Sequence, residues 1–365
     1  MSHCQVFPSH DDATVTNPAA RALLRWYDLH ARALPWRVAP AARQAGERPD
    51  PYRVWLSEIM LQQTTVATVR GYFEKFTTRW PDVGALAAAP RDDVLAAWAG
   101  LGYYARARNL HACAQVVMAE HGGVFPQTEA ALRTLPGVGL YTAAAIASIA
   151  FDEAATVVDG NVERVMARLH AVEDPLPGAK KRLYDLAATL TPHARPGDYA
   201  QAVMDLGATI CTPRKPACDA CPLLGSCDGH ATGIAATLPR KAPKKKKQTR
   251  HGICYLARRA DGAVLMTRRP DKGLLGGMAE LPGTDWAETP PPSAPPLETD
   301  WRAMGDVRHT FTHFHLVLSV MRADVPLDAK AKRGNWIAAG RIEDEALPTL
   351  MQKALACGFG PERLI

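Results

Sequence analysis

No run of the 365-residue sequence is both apolar and long enough to cross a bilayer; the longest, Leu140 to Phe151, is Ala-rich and stops at Asp152-Glu153, well short of the roughly 20 residues a spanning helix needs. It reads as a buried helix. The first residues, Met1 to Asn17, carry neither the apolar core of a secretory signal nor an Arg-rich amphipathic pattern, so nothing sends the chain out of a reducing compartment, where disulfides are disfavoured. No internal repeat is visible. What is present is ordinary for a globular protein: 47% hydrophobic and 22% charged residues exclude wholesale disorder. The length suits two domains of about 100 to 200 residues each.

The net charge of +6 leans towards a polyanionic partner. Between Arg240 and Arg250 lie seven basic residues and no acid, which reads as a linker, either a solvated tether or a segment in contact with phosphate. Before it, apolar residues recur at helical spacing, as in Leu56, Ile59, Met60, Val66, Val69, Phe73 and Phe76. After it come short β-rich runs: Ile253 to Ala257, an Asp261-Gly262 turn, Val264 to Thr267, then Phe311 to Val320. The Pro-rich stretch 290–296 is expected to be a loop. The expected limits are a flexible N-terminus 1–18, an all-α domain 19–235, a basic linker 236–250 and an α+β domain 251–365.

Four of the eight cysteines, Cys211, Cys218, Cys221 and Cys227, form a C-x6-C-x2-C-x5-C loop, a metal site open by chemistry alone to zinc or to iron and sulfur. Upstream, Leu135-Pro136-Gly137-Val138-Gly139 precedes the Ala-rich helix; glycines there permit a tight turn whose backbone N–H groups, backed by a helix N-terminus, suit a phosphate. Together these segments resemble the helix-hairpin-helix and 4Fe-4S loop of the endonuclease III superfamily of DNA glycosylases. In the lyase branch of that superfamily the second residue after the hairpin is a lysine that forms a Schiff base with the sugar. Tyr141 stands there instead, so a monofunctional glycosylase that leaves the backbone intact is expected.

Hydrolysis of an N-glycosidic bond needs a proton for the departing base and negative charge beside the sugar cation. Asp159, in Val157-Val158-Asp159-Gly160-Asn161, has the position of the superfamily's aspartate. Glu58, in Ser57-Glu58-Ile59-Met60-Leu61-Gln62-Gln63-Thr64, has apolar neighbours that favour a raised pKa, as a general acid requires. That motif resembles the adenine DNA glycosylases of the MutY type. The resemblance extends to Leu34-Pro35-Trp36, Gly100-Leu101-Gly102-Tyr103-Tyr104-Ala105-Arg106 and Phe311-Thr312-His313. It implies Glu58 on the base and Asp159 on the sugar, with Tyr141 and Asn161 positioning the sugar and Asp159. Trp36, Arg37, Leu61, Gln62 and Gln201 would lie around the adenine. Gln63 and Tyr103 would fill the duplex after base flipping, and Gly137, Val138 and Gly139 would hold phosphate.

Arg268-Arg269-Pro270 and Gly273 to Pro282 resemble the start of a Nudix-type domain, but the Arg-Glu-x-x-Glu-Glu helix of a Nudix hydrolase is missing: Asp285 to Pro296 is Pro-rich instead. A recognition domain without magnesium chemistry is expected, with Phe311, Thr312 and His313 reading 8-oxoguanine. The implied protein is a monomer with a 4Fe-4S cluster and no membrane, in the cytoplasm of a bacterium, acting on duplex DNA with adenine opposite 8-oxoguanine or guanine. Alternatives are a lyase-type glycosylase for oxidised pyrimidines, disfavoured by Tyr141 and Glu58; a non-catalytic iron-sulfur damage binder, disfavoured by the two acids; and a nucleotide-pool hydrolase, disfavoured by the missing helix.

Overall fold

A computed structural model describes residues 15–243, 246–270, 273–342, 345 and 347–360. Two compact units divide it, one of residues up to Ala89 with Asn109–Pro243, the other of Pro90–Arg108 with the chain from Lys244 on. The limits read from the sequence run consecutively, whereas residues 90–108 group with the C-terminal unit. Of the expected flexible N-terminus, residues 1–14 lie outside the described residues. Val15 is buried, and its carbonyl accepts from Arg21 Nη2 at 2.8 Å.

The first unit is helical. Its elements are α1 (Pro18–His30), α2 (Pro40–Gln44), α3 (Pro51–Leu61), α4 (Val66–Arg79) and α5 (Val83–Ala88). After α6 (Arg91–Ala97) in the second unit come α7 (Ala105–His121), which begins there, α8 (Glu129–Leu132), α9 (Leu140–Phe151), α10 (Gly160–Leu169), α11 (Lys180–Leu190), α12 (Pro196–Thr209) and α13 (Asp228–Ala231). Start signals are local: Asn17 caps α1 ahead of Pro18, and Asp50 caps α3 ahead of Pro51, a proline at the first turn costing no hydrogen bond. Stripes of Leu23, Leu24 and Tyr27 from α1, Val165, Met166 and Leu169 from α10, and Val203 and Leu206 from α12 close one core. Trp55, Phe73 and Phe76, fully buried, belong to α3 and α4. Each aromatic ring removes a large apolar area from water.

The second unit holds a mixed sheet of β1 (Gln248–Arg259), β2 (Val264–Arg268), β3 (Ala279–Glu280), β4 (Arg302–Thr310), β5 (Phe314–Val325) and β6 (Asn335–Ile337), in the order β3-β2-β1-β5-β4, with β6 on β2. β1 and β5 run parallel, from Gln248 opposite Phe314 to Arg259 opposite Val325. Phe314, Leu316, Leu318 and Val320 alternate inward, as a strand with one buried face requires, and meet Leu350, Met351 and Leu355 of α14 (Thr349–Phe359). The expected run Phe311 to Val320 is corrected at its start: Phe311–His313 form the β4–β5 turn, closed by Phe311 N–H donating to Phe314 O at 2.9 Å. Asp285 to Pro296 carries no helix. Of the basic stretch, Ala242 N–H donates to Leu176 O at 2.9 Å and Arg240 pairs with Glu173, so its start is tied to the helical unit. Residues 244–245 lie outside the described residues.

Candidate active site

A cavity of about 1190 Å³ opens in the helical unit, and it gathers Trp36, Arg37, Glu58, Leu61, Gln62, Gln63, Gly137, Gly139, Tyr141, Asp159, Asn161 and Gln201. Glu58 reaches it from α3, whose residues from Val54 to Met60 are all buried. Tyr141, in the first turn of α9, donates its hydroxyl to Glu58 Oε2 at 2.7 Å, which leaves the other carboxyl oxygen to carry a proton. Burial pushes the Glu58 carboxyl up to about 7, against the opposing pull of the Tyr141 hydroxyl and the Arg37 cation. α3 ends just beyond: Gln62 is its C-cap and Gln63 turns left-handed at φ 57°, exposed. Gln63 thus sits at a break in the helix. Gln62 Nε2 donates to Thr142 Oγ1 at 3.1 Å, fastening the end of α3 to α9.

Asp159 is the N-cap of α10. Its Oδ1 accepts the backbone N–H groups of Asn161 and Val162, both at 2.8 Å, and its Oδ2 accepts Asn161 Nδ2 at 2.8 Å. Burial lifts its pKa, while these donors and the Arg164 charge favour the ionised form. The same Asn161 accepts Arg164 Nη2 at 2.8 Å, and Arg164 donates onward to the carbonyls of Gly207 and Cys211 at 2.7 and 2.8 Å. Gly207 is obligatory, because a Cβ there would sit 2.6 Å from Asn161 Cβ. A continuous chain of hydrogen bonds thus runs from Asp159 to the first cysteine of the loop.

α12 forms the floor. Gln201, buried, donates its amide to Gly197 O at 3.2 Å, so its carbonyl oxygen remains for another donor. One turn on, the fully buried Asp205 accepts Arg37 Nη1 at 2.7 Å and the Arg32 N–H at 3.1 Å. The start of α12 is held by Asp198, which pairs with Arg43 Nε at 3.2 Å and Arg195 Nε at 3.0 Å, all three side chains buried. Arg43 also bonds Ile149 O at 2.7 Å and Asp152 at 2.6 Å. Removing one member leaves buried charges unpaired, so Arg43→Met is expected to cost about 3–5 kcal/mol, read as a lowered midpoint in thermal or urea unfolding.

In the hairpin, Gly137 adopts φ 75°, and a Cβ would lie 2.6 Å from Asn109 Cβ, so only glycine fits the turn. Gly137 and Gly139 are exposed. Val138 corrects the expectation made for all three: its side chain is buried and its N–H donates to Leu135 O at 3.2 Å, inside the turn.

Cys211, Cys218, Cys221 and Cys227 line one small cavity with Ile210, Pro216, Leu224 and Ala235. No three His, Cys, Asp or Glu side chains among the described residues close round a single metal ion; the four thiols instead surround an apolar gap. Burial pushes Cys221 up to about 11 and Cys227 upward, and the neighbouring sulfurs add to both, so these two thiols need bound positive charge to become thiolates near neutrality. Arg168, fully buried, donates to Cys211 Sγ at 3.3 Å and to the carbonyls of Thr212 and Pro213 at 2.8 and 3.0 Å. This donor set fits an iron-sulfur cluster, whose sulfurs characteristically accept such bonds.

In the second unit Tyr103 is 55% exposed with φ 50°. Arg106, donating to the carbonyls of Leu101 and Gly102 at 3.0 and 3.2 Å, pins its turn. The three residues of the β4–β5 turn divide. Phe311 stacks on Trp286 at 5.5 Å and packs on Phe314 at 4.9 Å, anchoring the turn, and only Thr312 and His313 face outward. Sequence reasoning missed Asp205, Arg32, Arg164 and Arg168, which carry no local motif.

Three family models match: HhH-GPD superfamily base excision DNA repair protein over residues 56–189, the iron-sulfur binding domain of endonuclease III over residues 211–227 and the NUDIX domain over residues 253–357. The adenine DNA glycosylase of Homo sapiens is 36% identical over 399 residues, covering 91% of this chain and 72% of that one. That of Mycolicibacterium smegmatis is 41% identical over 226 residues, covering 61% of this chain and 73% of that one. Among solved structures, a thermostable thymine-DNA glycosylase superposes with a TM-score of 0.51 at 31% identity, over 58% of this chain and 95% of that one. The cysteine loop is accordingly the seat of a 4Fe-4S cluster, and the helical unit and mixed sheet are the helix-hairpin-helix and Nudix-like domains expected from the sequence. The chain belongs to the adenine DNA glycosylases, hydrolases of N-glycosyl bonds in base excision repair.

Proposed function

We propose that the enzyme releases adenine paired with 8-oxoguanine or guanine in duplex DNA, acting as a monomer on a nucleotide flipped into the cavity. The observation that carries this reading is the pairing, in one cavity, of a buried carboxyl that holds its proton near neutrality with a carboxylate supported by three donors. Glu58 protonates N7 of the base. The C1′–N9 bond then breaks with its electron pair moving to the base, while Asp159 holds or captures the cation at C1′. Water adds at C1′ and leaves an abasic sugar. Tyr141, where a lyase has its lysine, hydrogen-bonds Glu58 and supplies no amine. Gln201 accepts from the adenine amino group, and Trp36 and Leu61 wall the base. The cluster, when bound, cross-links the 211–227 loop and takes no part in bond cleavage. The hairpin grips phosphate through Gly137 and Gly139; Gln63, exposed at positive φ, fills the stack left by the flipped base, and Tyr103, likewise exposed at positive φ, enters the duplex beside the opposing base.

Recognition of the opposite base is assigned to Thr312 and His313, the exposed tip of a turn anchored by Phe311. The test is single-turnover adenine release from duplexes that differ only in the base opposite adenine. The expected order is 8-oxoguanine and guanine well above thymine. Thr312→Ala with His313→Ala should reduce the preference for 8-oxoguanine by about tenfold, the worth of one good base contact. Equal release opposite every base would remove the mispair assignment and leave the chemistry standing.

A further inference from the structure

A carboxylate that no role yet described requires lies beneath the pocket floor. Asp205 is on the same face of α12 as Gln201, four residues on, and its side chain is 0% exposed. Its Oδ2 takes Arg37 Nη1 at 2.7 Å and the Arg32 N–H at 3.1 Å. Its Oδ1 has no hydrogen-bond partner, only the Arg32 guanidinium at 3.5 Å. Burying a carboxylate this completely is costly unless it is paired and hydrogen-bonded. What it meets is Arg37, which lines the cavity with Glu58 and acts on it electrostatically. Glu58 is faced from α9 by Tyr141, from the N-terminus of α10 by Asp159 and from the segment after α1 by Arg37. Behind Arg37 stand Asp205 and Tyr27. At the same cavity are Arg32, Gln201 and the Lys180–Glu163 pair, 2.9 Å apart. Arg37 is thus the cation to which Glu58 responds, and Asp205 is its buried counter-charge.

We propose that Asp205 is a positioning residue for adenine release: it fastens Arg37 beside Glu58 and offsets its charge, so that the carboxyl keeps the proton it must donate. Without the counter-charge the guanidinium would stabilise the Glu58 carboxylate instead, and the acid would be spent before substrate arrived. This rests on Glu58 being the acid. A residue that only stiffened α12 would slow the reaction equally at every pH. One that governs the proton moves the pH at which activity is lost.

The experiment is single-turnover adenine release against pH with the intact, cluster-containing enzyme and saturating A:8-oxoguanine duplex. The parent should lose activity as pH rises through the Glu58 titration. Asp205→Asn, which keeps the shape, should move that alkaline limb about one pH unit lower, giving about tenfold loss at pH 8 and little at pH 6. Asp205→Glu, which keeps the charge, should leave the limb in place. Adding Arg37→Met to Asp205→Asn should return it towards the parent. If Asp205→Asn does not fold, Arg37→Met alone carries the test and must move the limb upward. A uniform loss across pH in Asp205→Asn, or an unmoved limb in Arg37→Met, overturns the proposal. An alkaline limb that survives unchanged in Glu58→Gln is a separate outcome, because it removes Glu58 as the acid whatever Asp205 does.

Discussion

Glu58→Gln should lower single-turnover adenine release at pH 7 by about 10²–10⁴-fold, the span typical of a lost general acid, with duplex binding retained. The amide keeps the volume of the side chain and still accepts the Tyr141 hydroxyl, now 2.7 Å from Oε2, so what disappears is the proton. The parent's pH dependence follows from the same group. With the carboxyl at about 7, half the enzyme carries the proton at that pH, the next unit upward removes about four fifths of it and each unit beyond about nine tenths of what remains. Stability moves the other way in the variant. Between the ordinary value of 4.5 and about 7 the folded protein holds a proton that the unfolded chain has lost, so the parent's stability falls as pH rises through that window. Glu58→Gln escapes this and should be more stable than the parent at pH 8, by up to about 3 kcal/mol. Loss of activity with no such gain in urea unfolding would mean that Glu58 is already charged in the folded protein.

Asp159→Asn should cost more, about 10³-fold or beyond, because it removes the negative charge that would stand beside the sugar cation. Asparagine is as good an N-cap as aspartate, and α10 should survive. The cost extends into the scaffold. Asp159 Oδ2 now accepts from Asn161 Nδ2. An amide in its place presents a donor to a donor unless Asn161 turns over, which would aim its NH2 at Arg164 Nη2. A loss of about 1–2 kcal/mol is expected from that mismatch. Asp159→Ala removes the cap as well and should destabilise further. Unfolding midpoints in the order parent, Asn, Ala, with adenine release lost in both variants, would separate the chemical role from the capping role.

Elements with strong local signals were legible in the sequence. The Ala-rich run between Gly139 and Asp152 is α9 from Leu140 to Phe151 as expected, because no Gly or Pro interrupts it and a left-handed Asp152 stops it. The Val264 to Thr267 strand follows from its Asp-Gly turn and β-branched content. Phe311 was harder to place: an aromatic residue next to alternating apolar ones looks like strand, yet its ring is spent on Trp286 while the backbone turns. Glu58 stood out only through its motif, since burial of a helix glutamate depends on which helices cover it. Asp205 was invisible for the same reason: nothing local separates it from a solvated helix aspartate, and its partners Arg32 and Arg37 lie more than 160 residues earlier. Residues 90–108 grouping with the C-terminal unit is likewise a long-range fact that no periodicity encodes.

The hydrogen bonds from Asp159 through Asn161 and Arg164 to the carbonyls of Gly207 and Cys211 set an order of events for the growing chain. By the time residue 161 is synthesised, Glu58, Tyr141, Asp159 and Asn161 have all been made. Asp205, which holds Arg37, and Gly207 and Cys211, which hold the far side of Arg164, come later and within seven positions of one another. A chain that stops before Asp205 therefore contains Glu58, Tyr141, Asp159 and Asn161 and lacks the acceptors that Arg37 and Arg164 reach on α12 and at Cys211. The segment that completes these contacts is the one that leads into the iron-sulfur loop.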